Sequence, residues 1–159
     1  MHFKASAGWT AWITFLLVQI FLSQELYAVS ERDSLEQLLP SREGAAKLEV
    51  MNALTGIYLA EDEPFAKTKA LEAIQLSESM ESGPGRSRAY RNLGNYFYYQ
   101  SIYDSSIYYY NIALRITEQN EDIESKAKIL NDLGVLHDII GESDKAIDYH
   151  LEALEIHEG

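Results

Sequence analysis

The sequence predicts an all-α protein: a right-handed superhelical solenoid of helical hairpins with a 40-residue period, preceded by a short capping helix. Three observations predict it. Leu93-Gly94 recurs as Leu133-Gly134 forty residues on. Apolar residues run at three- and four-residue spacing through each half of the repeat, and turn-forming residues separate the halves. The composition, 47% hydrophobic and 24% charged, is that of a folded chain, and 159 residues suit one domain. With 25 acidic against 13 basic side chains the formal charge is −12. Such a surface repels phosphate backbones and anionic lipid heads, which argues against nucleic acid as a partner.

The first element is a secretory leader over residues 1–30. Lys4 and the terminal amine precede an apolar stretch from Trp9 to Leu22, broken only by Thr10, Thr14 and Gln19, and small residues follow. Ala28 and Ser30 place the cut before Glu31, because a cut after Ala28 would leave the larger Leu26 three positions back. An uncleaved anchor is the alternative, but Ala5 to Leu22 is eighteen residues, short of the roughly twenty a bilayer core needs. The product is expected to be exported, periplasmic or extracellular if bacterial, without stable membrane insertion once the leader is removed. The chain has no cysteine, so neither disulfides nor a lipid-modified thiol enter its chemistry.

Residues 31–43 form the capping helix and linker. Leu35, Leu38 and Leu39 make one apolar face, ended by Pro40, that covers the first hairpin. The repeats fill residues 44–159, as copies over about 47–86, 87–126 and 127–159. Asn92 falls on Asp132, Tyr109 on Tyr149, Ala113 on Ala153 and Leu114 on Leu154; forty residues earlier stand Asn52, Ala53, Ala66, Ala73 and Ile74. All three copies are expected in one ungapped register. In the second copy Tyr90, Leu93, Gly94 and Phe97 form one stripe, and Tyr103, Ser106, Ile107, Tyr110 and Ala113 form the other. The turns fall at Ser101-Ile102-Tyr103-Asp104, Gly141-Glu142-Ser143-Asp144 and Glu61-Asp62-Glu63-Pro64, whose glycine, acidic and serine caps and helix-first proline suit helix ends. "SGPGRSR" reads as the break between the first and second copies.

These residues resemble the tetratricopeptide repeat. Leu93, Gly94, Phe97, Ser106, Tyr110 and Ala113 carry the pattern in the second copy, and Leu133, Gly134, His137, Ala146, His150 and Ala153 in the third. The first copy is degenerate, with Ala53-Leu54 in place of Leu-Gly. The resemblance, over about residues 44 to 158, implies a non-enzymatic scaffold that binds a protein or peptide through its concave face. It places Arg88, Arg91, Asn95, Tyr98 and Tyr99 of the second copy on that face, extended by Lys128, Asn131, Val135 and Asp138 and by Leu48, Met51, Thr55 and Tyr58. The patch reads as locally basic, favouring a carboxylate-bearing peptide, although Asp132 stands where the family's terminal-carboxylate binders carry Asn. The order of leader, helix and degenerate repeat is also similar to the extracytoplasmic front end of bacterial sensor histidine kinases and related signalling proteins. On that alternative, the chain is the sensory region of a histidine kinase or nucleotide cyclase type protein, acting in signal transduction without its output domain.

The remaining residues carry no further chemistry. His137 and His150 replace packing aromatics, His2 lies in the leader, and His150 and His157 are seven apart, so no metal site is expected. "SGPGRSR" lacks the glycine spacing and Lys-Ser/Thr ending of a phosphate loop. No nucleophile stands in a motif with a base, and no cofactor is implied. Tyr90, Tyr103 and Tyr110 are expected in the core, with Tyr96, Tyr108 and Tyr109 off the packing stripes. Ile147, Leu151, Leu154 and Ile156 have only an inner side to pack against, which raises self-association of the last hairpin.

Overall fold

A computed structural model describes residues 7–61, 63–80 and 83–158, with backbone alone for residues 7–12, 21–30, 61 and 63. The expected turn residue Asp62 lies outside the described residues, as does His2. Among the described residues the regular structure is entirely helical: α1 (Ala7–Leu38), a 3-10 turn (Leu39–Ser41), α2 (Gly44–Glu61), α3 (Glu63–Ser79), α4 (Gly83–Tyr99), α5 (Tyr103–Asn120), α6 (Ile123–Ile139) and α7 (Ser143–Glu158). The helices pair as the hairpins α2/α3, α4/α5 and α6/α7, and each hairpin packs on the next. This is the solenoid the periodicity predicts.

Two features differ from the expected boundaries. The helix α1 runs without a break through Ser30, so the stretches expected as leader and as capping helix form one helical element. No helix among the described residues is long and apolar enough to cross a membrane. The "SGPGRSR" break is shorter than expected, because α4 already begins at Gly83. Proline is tolerated in a first helical turn, where its missing N–H has no partner to lose, and Pro84 occupies that place.

The helix ends follow from backbone chemistry. Gly141 adopts φ +83° after α6, its N–H donates to Asp138 O at 3.0 Å, and the next N–H, of Glu142, reaches back to His137 O at 2.8 Å. That pair of bonds satisfies carbonyls the helix would leave bare. Ser101 repeats the geometry after α4 at φ +57°, donating to Tyr98 O while Ile102 donates to Phe97 O, both at 2.9 Å. Asp122 caps α6 by accepting from the Ser125 N–H at 3.1 Å.

The core is laid down between hairpins. Leu48, Met51, Ala70, Ala73, Ile74, Ala89 and Leu93 pack together where the first hairpin meets the second. Tyr110, Ala113, Ile129, Leu133 and Leu136 do the same between the second and third. At the front, Leu35 and Leu39 rest on Leu54, Tyr58, Leu59 and Ala66, and the Tyr58 hydroxyl donates to Glu36 of α1. Leu38, the third residue of the expected covering face, is exposed instead. Tyr109, expected off the stripes, stacks on Phe97 with ring centroids 5.3 Å apart and planes 7° from parallel. Tyr110 is buried, Tyr90 and Tyr103 are half-buried, and Tyr108 is exposed.

The ungapped register does not hold in α2. Leu93 and Leu133 are buried, yet Ala53, forty residues before Leu93, is exposed, and Leu54 is buried in its place. Offset by 39, Leu54 and Thr55 fall on Leu93 and Gly94, all four buried, and Tyr58 falls on the half-buried Phe97. The second helices keep the interval of forty, with Ala66, Ser106 and Ala146 all buried. Leu54 and Ala66 are therefore twelve residues apart, where Leu93 and Ser106, like Leu133 and Ala146, are thirteen apart. The missing residue falls in the α2–α3 turn, and it rotates α2 by one position.

Packing explains why this first copy dispenses with the Leu-Gly pair. A Cβ on Gly94 would lie 2.5 Å from the Tyr110 ring, and one on Gly134 2.6 Å from the His150 ring. Both are inside van der Waals contact, so the aromatic residue on the second helix demands glycine on the first. The first copy pairs Thr55 with Ala70, both fully buried. A small residue on the second helix makes room for a larger one on the first.

Candidate functional site

The neighbouring first helices do not meet alike along the stack. Between α2 and α4 the Asn52 amide donates to Gly85 O at 2.9 Å, and the Asn92 amide donates to Asn52 O at 3.1 Å. These bonds draw the backbones together. Between α4 and α6, Asp132 takes the equivalent place of Asn92, and the longer Arg91 side chain reaches it. Nε donates to Oδ2 at 2.5 Å and Nη2 to Oδ1 at 3.2 Å, a bidentate fork.

Beside that ion pair lies a cleft of about 200 Å3. Arg91, Asn95, Tyr98 and Tyr99 line it from α4, Asp132 and Val135 from α6, and Tyr110 from α5. Burial alone would lower the Arg91 pKa, but hydrogen bonding and charge from Asp132 outweigh it and raise the value. The Tyr110 hydroxyl donates to Asn95 Oδ1 at 2.6 Å. Burial, reinforced by the Asp132 charge, pushes Tyr110 well above the usual tyrosine range, so it remains a neutral donor. Holding Asn95 by its oxygen leaves the amide NH2 available as a donor. Tyr98 and Tyr99 meet edge to face at 5.5 Å, and Tyr99 is 58% exposed.

Of the residues placed on the concave face from sequence, Arg91, Asn95, Tyr98 and Tyr99 come together here, with Val135 opposite. Arg88 stands outside the lining and pairs with Glu49 at 2.6 Å; Lys128 pairs with Glu124 on its own helix at 2.5 Å. Asn131 and Asp138 are exposed on α6, away from the lining. Each of the three cations thus faces a carboxylate, and the patch is not basic in sum. Leu48, Met51, Thr55 and Tyr58, expected to extend the groove, are buried. The one-residue rotation of α2 puts Glu49, Gly56 and Ala60 on the solvent side instead. Tyr110 and Asp132 complete the cleft; the resemblance puts Asp132 at this site in place of the family's Asn, without a partner, and Tyr110 only in the core. Their signal was present, since Arg91 and Asp132 occupy adjacent positions of consecutive repeats.

His137 is buried and stacked on Tyr149 at 5.3 Å, with Nδ1 2.7 Å from Glu142 Oε2. Among the described residues no three His, Asp or Glu side chains gather as a metal site.

Residues 85–159 match the family model of the tetratricopeptide repeat. The match takes in α4 to α7, the two hairpins with the Gly94–Tyr110 and Gly134–His150 pairings. The hairpin with the shifted first helix lies outside it. No curated protein matches the sequence. Among solved structures the chain is similar to BtubC (BKLC) from P. vanneervenii, at 22% identity and a TM-score of 0.64 over 82% of this chain. It spans about half, 54%, of that chain's length. At this identity the likeness establishes the fold, and it covers more of the chain than the family match does. Tetratricopeptide repeats generally mediate protein–protein interaction, and a scaffold of this kind is typically non-enzymatic.

Proposed function

We propose that the chain is an exported scaffold that holds a protein or peptide segment in the cleft between α4 and α6. The cleft carries this reading: two adjacent tyrosines and an oxygen-anchored Asn95 stand beside an ion pair that ties two hairpins together. Tyrosine supplies broad, rigid contact area with a polar tip, and the Asn95 NH2 suits a backbone carbonyl. Arg91 is already matched by Asp132, so an acidic ligand gains little there. The cleft therefore favours an extended peptide offering carbonyl oxygens and an apolar or aromatic side chain.

Selection from a random peptide display library tests this. Enriched peptides are expected to lose about tenfold or more in affinity when Tyr98→Ala and Tyr99→Ala are combined, as for anchor aromatics. Enriched peptides indifferent to that change would overturn the reading. Export rests on the residues of the leader, and N-terminal sequencing of the mature protein is expected to begin at Glu31. A second reading, a sensory region of a membrane signalling protein, draws on the unbroken α1 from Ala7 to Leu38. It places the membrane helix further along a longer protein, so genomic sequence that continues in frame into a membrane helix would favour it.

A further inference from the structure

A second cavity, of about 270 Å3, opens where the end of α3 and the start of α4 meet the later turns of α5. Glu78, Arg86, Tyr90, Ile112 and Arg115 line it. Glu78 accepts from the Tyr90 hydroxyl at 2.9 Å, and burial together with that carboxylate pushes Tyr90 up to about 12, so the hydroxyl keeps its proton. Arg86 Nε is buried and has no hydrogen-bond partner. Among the described residues neither Arg86 nor Arg115 forms an ion pair.

The repeat itself supplies the comparison. Forty residues after Arg86 stands Lys126, which pairs with Glu152 at 2.7 Å; Glu152 corresponds to Ile112, and Glu155 to Arg115. In the first hairpin Lys47, 39 residues before Arg86, lines an equivalent cavity with Glu72 and Gln75. Each copy therefore carries a cation at the start of its first helix. In the first and third the second helix brings an acid to the same place. Only the second copy replaces the acid with isoleucine and adds another arginine.

We propose that this cavity is a binding site for a compact oxyanion, a phosphate or carboxylate group held by Arg86 and Arg115. Guanidinium forks match the paired oxygens of such groups. A buried donor without an acceptor is costly, and an oxyanion removes that cost. The volume is below the roughly 300–1,000 Å3 of ordinary ligand pockets, which suits a small anion. Two guanidinium groups against one carboxylate make the site positive, while the chain at −12 gives no long-range attraction, so recognition is local.

The test is titration of the full chain at low ionic strength with inorganic phosphate and, separately, succinate, following the arginine Nε–H signals by NMR. Saturable shifts of Arg86 and Arg115 are expected with one or both anions, and the one that saturates identifies the oxyanion. Arg91, held by Asp132, should stay still. The exposed Arg115→Gln change should raise the apparent Kd about tenfold or more, the loss of one charge-assisted bond. Ile112→Glu, which copies the acid of the third hairpin, should remove binding. An undisturbed Arg91 signal shows that either variant is folded. No saturable shift with either anion would overturn the proposal, as would unchanged binding by a folded Arg115→Gln protein.

Discussion

Ser101 holds a backbone conformation that its counterpart Gly141 holds at less cost. Both lie at positive φ, +57° and +83°, where a Cβ crowds the following carbonyl and glycine has none. Ser101→Gly is therefore expected to stabilise the protein by about 0.5–1 kcal/mol, read from denaturant midpoints at constant m. Gly94 is under the opposite constraint. Its neighbour is the Tyr110 ring, buried and hydrogen-bonded to Asn95, which cannot swing away. Gly94→Ala should cost about 1–3 kcal/mol by overpacking, and Tyr110→Ala in the same chain should relieve part of that loss, as Ala70 opposite Thr55 already does. Urea unfolding of the single and double variants measures the coupling. At this scale much was legible from sequence: a Leu-Gly pair opposite an aromatic residue states its own packing. The charge partners were legible only as neighbouring positions of consecutive repeats. Arg88–Glu49 and Arg91–Asp132 join different hairpins, and only the stacking brings their side chains within reach.

Among the elements, α4 is the most heavily used. One side forms the cleft with α6, and another reaches α3 through Tyr90 and Glu78. The Tyr90 pKa rises from 10.0 to about 12, first because of burial and then because of the Glu78 hydrogen bond. A raised folded value means the folded protein holds that proton more tightly than the unfolded chain does. The resulting stability is complete below pH 10 and is lost as the pH climbs from 10.0 toward about 12. Tyr90→Phe should flatten the fall of the thermal midpoint across that window, leaving the part due to Tyr110, which is also raised. An equally steep fall in the variant would show that Tyr90 takes no part. The extent of α4 was only partly legible, because Gly83 and Pro84 read as a break. A glycine can sit in a first turn where another helix crowds it, and a Cβ on Gly83 would meet the Asn120 side chain at 2.2 Å.

For the molecule as a whole, the buried and exposed faces depend on how the hairpins are phased. An interval of forty residues relates α4 to α6 and the three second helices to one another. An interval of 39 relates α2 to α4. The repeat was legible because alanine recurs at 73, 113 and 153, where helices must approach closely. The shift was not, because Ala53-Leu54 tolerates either alignment and small residues in α3 remove the demand for glycine that would have fixed it. This single residue decides which side of α2 is buried, and so where the concave face begins. The cysteine-free chain makes thiol labelling of single-cysteine variants the most direct measurement. In the folded protein Ala53→Cys is expected to react nearly as fast as in denaturant, while Leu54→Cys and Leu93→Cys stay protected. Protection of Ala53→Cys alongside Leu93→Cys would contradict the account.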